Sequence, residues 1–243
     1  MTRANPGDQK MTADPRLIVP LDLPTTDDAR RMVEQLGDAV SFYKIGLELL
    51  ASDGMSLAHD LKASGKQIFL DWKLHDIGAT VERSARVLAT SGCDLLTVHA
   101  EPQVMASAVK ARGDSSLKIL AVTVLTSLTD ADLVEMGYAF GARDLVERRV
   151  RQAIEAGVDG IVSSPHEAAL AREIAHEAGK PGFLIVTPGV RPFWSAKNDQ
   201  ARAATPEAAI RAGASHLVCG RPITAANDPR EAALKVVSEI AGL

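Results

Sequence analysis

The chain has 243 residues, of which 46% are hydrophobic, 24% charged and 4% aromatic, and its formal net charge is −4. That length allows one large domain or two small ones, with a core built from Ala, Val, Leu and Ile rather than from aromatic rings. A slightly acidic balance offers no basic patch for nucleic acid, and the longest apolar runs, such as residues 183–186, are strand-sized rather than membrane-spanning. Residues 1–16 are polar, include Pro6, Gly7 and Pro15, and lack the apolar centre of a signal peptide, so they are expected to form a disordered extension. Cys93 and Cys219 stand far apart in apolar settings. They are expected to be buried thiols, with neither a disulfide framework nor metal-ligand spacing, and the cytoplasm is the expected compartment.

After the leader, short apolar runs alternate with longer segments of helical period. Strands are expected at 17–22, 41–44, 68–73, 95–99, 119–124, 160–163, 183–187 and 216–219. The first helix is marked by Ala29, Met32, Val33 and Leu36 at helical spacing, with Thr25 and Thr26 ahead of it and Gly37 behind. Ser127-Leu-Thr-Asp130 has the pattern of a helix cap. Ser164-Pro-His-Glu167 spells a capping box with proline at the first helical position, and Thr205-Pro-Glu207 and Asp228-Pro-Arg-Glu231 start helices similarly.

Eight strands separated by helices, with no hairpin signal between them, predict parallel pairing. A closed barrel and an open doubly wound sheet both satisfy that pattern. Eight units in about 230 residues favour the (β/α)8 barrel as a single domain over 17–243, and no G-x-G-x-x-G follows the first strand to support a dinucleotide fold.

Active sites of such barrels form at the C-terminal ends of the strands. Those ends carry Asp22, Lys44, Asp71 with Lys73, His99, Thr126, Ser163, Thr187 and Gly220-Arg221. Taken singly, His99 and Ser163 are read as solvated strand termini; taken as a ring, the set calls for a polar ligand. In the third strand Phe69, Asp71 and Lys73 share one face while Ile68, Leu70 and Trp72 share the other, so two opposite charges leave an apolar strand side by side. Gly220 permits close backbone approach and Arg221 supplies a fork for an oxyanion, which reads as a phosphate site after the eighth strand. Residues 188–204 form a long aperiodic stretch carrying Arg191 and Gln200, as expected of a functional lid.

Residues 69–77, Phe-Leu-Asp-Trp-Lys-Leu-His-Asp-Ile, resemble the D-x-K-x-x-D signature of the orotidine 5′-phosphate decarboxylases, which complete UMP synthesis. The resemblance runs over about 16–240. It takes in Leu21-Asp22, Tyr43-Lys-Ile-Gly46, Val122-Thr-Val-Leu-Thr-Ser127, Val186-Thr-Pro-Gly-Val-Arg191, Asn198-Asp-Gln200 and Val218-Cys-Gly-Arg-Pro-Ile-Thr224. It implies that Lys73 is the general acid, held in a charged array by Asp71 and Asp76. Asp76 and Thr80 would reach the site of a partner subunit, making a homodimer the working unit. Asp22 and Lys44 would contact ribose, Thr126 and Ser127 would lie near the pyrimidine, and Arg191, Gln200, Gly220 and Arg221 would hold the phosphate. Asp76-Ile-Gly-Ala-Thr80 departs from the usual bacterial Asp-Ile-Pro-Asn-Thr, so Gly78 loosens a turn that proline would stiffen.

Loss of CO₂ from C6 leaves electrons in an orbital in the ring plane, and the chain shows no pyridoxal or thiamine motif to absorb them. No cofactor or metal is expected. An ammonium beside C6 would stabilise that charge and then donate the proton, and carboxylates about 4 Å away attract it by about 4 kcal/mol at an effective dielectric of 20. The nearest rivals are 3-keto-gulonate-phosphate decarboxylases and hexulose-phosphate synthases, which resemble this signature but use Mg²⁺ held partly by an acid near the end of the second strand. Lys44 occupies that position here. A non-catalytic nucleotide-binding barrel is the rival of a different class.

Overall fold

A computed structural model describes residues 12–195 and 204–243. Eight parallel strands close into a barrel in sequence order: β1 (Leu17–Pro20), β2 (Phe42–Ile45), β3 (Gln67–Leu74), β4 (Leu95–His99), β5 (Lys118–Val122), β6 (Gly160–Val162), β7 (Leu184–Pro188) and β8 (His216–Val218), with β8 returning to β1. The predicted (β/α)8 barrel is the observed fold.

Two apolar layers account for it. Ile18, Phe42, Phe69, Leu95, Leu120, Val186 and Val218 point inward and fill the barrel. Their strand neighbours, among them Val19, Tyr43, Ile68, Leu70, Leu96, Ala121 and Ile185, point outward and pack with the surrounding helices. Strands buried on both faces need such continuous apolar runs, and strict alternation then sends every second side chain to each layer. Phe69 is interior while Ile68, Leu70 and Trp72 join the outer layer, so Asp71 between them is committed to the interior.

Helix starts follow the capping signals at three of the predicted places. Thr25, Thr205 and Asp228 each accept a backbone N–H from three residues ahead, a cap typically contributing about 1 kcal/mol. Two predicted caps are corrected. The box after β5 is built by Thr129 with Asp132, not by Ser127. Ser164 and Glu167 do bond to each other, but they close a turn and the helix begins only at Ala168, with Glu167 already at φ −98° and ψ −2° before it.

The predicted extension falls mostly outside the described residues. Of its last residues, Arg16 bonds Asp14 and the carbonyls of Ile240 and Leu243, tying the entry to the barrel against the C-terminal helix Pro229–Ile240. Cys93 and Cys219 are buried and unbridged, and burial pushes the Cys219 thiol up to about 12. No helix among the described residues is long and apolar enough to cross a membrane.

Candidate active site

The C-terminal mouth of the barrel encloses a cavity of about 410 Å³. Eight of the site residues that the resemblance implies line it: Asp22, Lys44, Asp71, Lys73, Thr126, Arg191, Gly220 and Arg221. Their separation along the chain is large, and the barrel brings them together because each lies at or just beyond the end of a strand. Some ends come earlier than expected. β1 stops at Pro20, so Asp22 stands on the following loop, and β5 stops at Val122, leaving Thr126 on the loop after it, as expected.

The early strands supply a chain of charges. Lys44 Nζ lies 2.9 Å from Asp22 Oδ1 and 3.4 Å from Asp71 Oδ2, and Lys73 Nζ lies 2.9 Å from Asp71 Oδ1. Lys44 and Asp71 are largely buried, with side chains 10% and 14% exposed, so each charge is tolerable only because opposite charges flank it. Burial alone would raise the Asp71 carboxyl, but the ammonium groups of Lys44 and Lys73 and hydrogen bonds from Lys73 and Thr97 outweigh it and hold Asp71 below the ordinary carboxylate range. Gly46 adjoins the arrangement: a Cβ there would stand 2.8 Å from Asp22 Oδ1 and 3.1 Å from Lys44 Nζ, so a larger residue would push the ion pair aside.

The late strands supply the opposite rim. Gly189, Val190 and Arg191 follow β7, and Gly220, Arg221 and Pro222 follow β8. The Arg191 N–H donates to the Ala204 carbonyl at 2.9 Å, which draws the two ends of the long loop together. Gln200 lies outside the described residues.

Three predicted residues do not line this cavity. Ser127 lines an adjoining space of about 590 Å³ shared with Thr126 and Arg221. Asp76 is exposed, its Oδ1 accepting the Ile77 N–H at 2.6 Å, and Thr80 lies in the helix Gly78–Leu88, where its hydroxyl accepts from Arg83. Gly78 proves to be a packing residue at the start of that helix: a Cβ would come within 2.7 Å of Ser107 Oγ on the neighbouring helix Pro102–Arg112.

Of the two residues taken as solvated termini, Ser163 is not one, and His99 is half-buried. Ser163 is buried and lines the cavity, while His99 stacks on His75 with ring centroids 4.8 Å apart, and burial pushes its pKa down. Thr97 was missed altogether. It is fully buried, donates to Asp71 Oδ1 at 3.0 Å and accepts the Lys73 N–H at 2.9 Å. A lone threonine at an inward position of the run Leu-Leu-Thr-Val-His was the signal that could have found it.

Fold and site together define a (β/α)8-barrel enzyme with an ion-paired lysine at one rim of its pocket and two arginines at the other. Residues 15–236 match the model of the orotidine 5′-phosphate decarboxylase / HUMPS family, and the chain belongs to that family. It is 90% identical over 233 residues, 96% of this chain and all of the relative, to an orotidine 5′-phosphate decarboxylase of Caulobacter vibrioides strain NA1000. Identity to the protein of the same name from Caulobacter sp. strain K31 is 82% over the same extent. Among solved structures it resembles an orotidine 5′-phosphate decarboxylase from Lactobacillus acidophilus, with TM-score 0.80 and 36% identity, covering 94% of this chain and 100% of that one.

Proposed function

We infer that this family member is the decarboxylase of the pyrimidine nucleotide: it takes CO₂ from C6 of orotidine 5′-phosphate and leaves UMP. The observation that carries the reading is the Lys73 ammonium, held 2.9 Å from Asp71 inside a cavity whose far rim carries Arg191 and Arg221. As the C6–CO₂ bond breaks, its electron pair stays on C6. Lys73 stabilises that pair by charge and then delivers its proton there, so the lysine serves first as electrostatic partner and then as general acid. Asp71 keeps the amine oriented and protonated. Lys44 and Asp22 contact ribose, Thr126 and Ser127 lie beside the pyrimidine, and Arg191, Arg221, the Gly220 backbone and Gln200 hold the phosphate. Binding energy gained at the phosphate is distant from the reacting carbon and assembles the site around it.

The Mg²⁺-dependent branch of the family fits these residues poorly. Lys44 Nζ already bridges Asp22 and Asp71, the carboxylates a divalent cation would need, and a fixed cation between them repels a second one. UMP formation, followed by the loss of orotidine 5′-phosphate absorbance, is expected to proceed at full rate in excess EDTA. Activity that disappears with EDTA and returns with Mg²⁺ would move the chain to the other branch.

The working unit is a homodimer in which Asp76 and Thr80 complete the partner's site. Support comes from their placement: both lie outside their own cavity, and the loop that carries Asp76 also exposes Ile77 at 67%. Mixing the inactive Lys73→Ala and Asp76→Ala proteins should restore about a quarter of wild-type activity, because a mixed dimer contains one intact site. No recovery would leave Asp76 acting within its own subunit. Two buried, unbridged thiols are in keeping with a reducing compartment, and we place the enzyme in the cytoplasm.

A further inference from the structure

The least regular backbone of the site lies where β3 passes β4. Leu70 pairs with Leu96 and the next partners are Leu74 and Val98, so Asp71, Trp72 and Lys73 stand opposite the single residue Thr97. Within this bulge Lys73 has φ +47°, in the left-handed region that an L side chain occupies only under strain. A bulged strand cannot pass all its N–H groups to the neighbouring carbonyls in ladder order. The Lys73 N–H goes instead to a side chain, Thr97 Oγ1, at 2.9 Å. The same hydroxyl, having one proton of its own, donates it to Asp71 Oδ1 at 3.0 Å. Asp71 is thereby filled: Oδ1 receives Thr97 and Lys73 Nζ, and Oδ2 faces Lys44.

We propose that Thr97 is a positioning residue for the decarboxylation, a buried hydroxyl that locks the strained Lys73 backbone to the Asp71 carboxylate and so aims the Lys73 amine at the reacting carbon. Thr97 is fully buried and is not among the residues that line the cavity. The assignment rests on Lys73 being the acid. Valine has nearly the shape of threonine but neither donates nor accepts. It would leave the Lys73 N–H unpaired in the interior, release the bend toward ordinary strand geometry, and let the amine swing away from its aimed position. Serine keeps the hydroxyl and with it both bonds.

The test compares Thr97→Val, Thr97→Ser and Lys73→Ala with the wild-type enzyme in kcat and KM for orotidine 5′-phosphate, dissociation constant for UMP, and thermal midpoint. Thr97→Val is expected to lower kcat about 30- to 100-fold, while KM and UMP affinity stay within about threefold, since misaiming costs the transition state rather than binding. Thr97→Ser should bring kcat back to within about threefold of wild type. Should valine prevent folding, Thr97→Ala, which adds no bulk, carries the same expectation. An unchanged kcat in folded Thr97→Val, a serine variant as slow as valine, or UMP affinity falling in step with kcat would each overturn the positioning role. Lys73→Ala separates the two ideas. If it turns over near the wild-type rate, the reading of Lys73 fails whatever Thr97 does; if it is inactive while Thr97→Val is fast, only the role of Thr97 falls.

Discussion

The two halves of the barrel mouth are built on different physical principles. β1 to β3 and the loop after β1 carry ionised side chains that neutralise one another in series, Asp22 to Lys44 to Asp71 to Lys73, with the two inner members, Lys44 and Asp71, largely buried. Beyond β5 to β8 lie hydroxyls, glycines and two arginines, Arg191 on the loop after β7 and Arg221 at the start of the short helix Arg221–Thr224. A buried charge array is rigid, because every member loses its partner if one moves. A loop-borne arginine can close on an anion and open again. On the proposed function, the ion-paired array would sit where the bond breaks and the arginines where the phosphate is held.

The sharpest way to break this division is Lys73→Ala. It should reduce turnover by at least about 10⁴-fold, losing charge stabilisation and proton donation together, while UMP binding stays measurable by calorimetry. Appreciable remaining decarboxylation would put the acid elsewhere. On the other rim, Arg221→Ala should lower kcat/KM for the whole nucleotide by about 10²- to 10³-fold yet barely change decarboxylation of orotidine, which lacks the phosphate. Equal losses on both substrates would erase the distinction between the halves.

Asp71→Asn probes the rigidity itself. Removing the shared carboxylate leaves Lys44 and Lys73 facing each other, and the folded state should lose about 3 kcal/mol at neutral pH in urea melts. Because the folded Asp71 titrates below the ordinary carboxylate range, its contribution is complete above about pH 4 and is lost only as pH falls through the lower folded value. The stability gap between wild type and variant should hold from neutral pH down to that range and close below it; a gap that closes nearer pH 6 would mean Asp71 is not held ionised by its neighbours. The smallest expected effect is that of Gly46→Ala. Its new Cβ would press on Asp22 and Lys44, and an ångström of displacement there should cost about tenfold in kcat/KM with little change in the thermal midpoint.

Much of this was legible without coordinates, for identifiable reasons. The alternation of Ile68, Phe69, Leu70, Asp71, Trp72 and Lys73 needs only the two-residue period of a strand, and β3 obeys it up to Trp72. The caps at Thr25, Thr205 and Asp228 are local hydrogen bonds spanning three residues, so nearby sequence is sufficient. Where neighbouring candidates compete, as Ser127 does with Thr129, local pattern cannot rank them. Ser163 departs from its expected exposure for another reason: whether a strand-end side chain meets water depends on what the following loops place over it.

By itself the sequence determined how many strands form, which faces they present inward, and that charged groups must collect at one end, because periodicity and the cost of burying charge act on each segment separately. Only the tertiary structure decided that three residues of β3 would stand opposite one of β4, that Lys73 would bend into the left-handed region, and that Thr97 would bond both Lys73 and Asp71. Register is a relation between two strands far apart in the chain, as Lys73 and Thr97 are at 24 residues. It is settled by closing the whole barrel around a filled interior, where a shift at one strand must be absorbed by all the others.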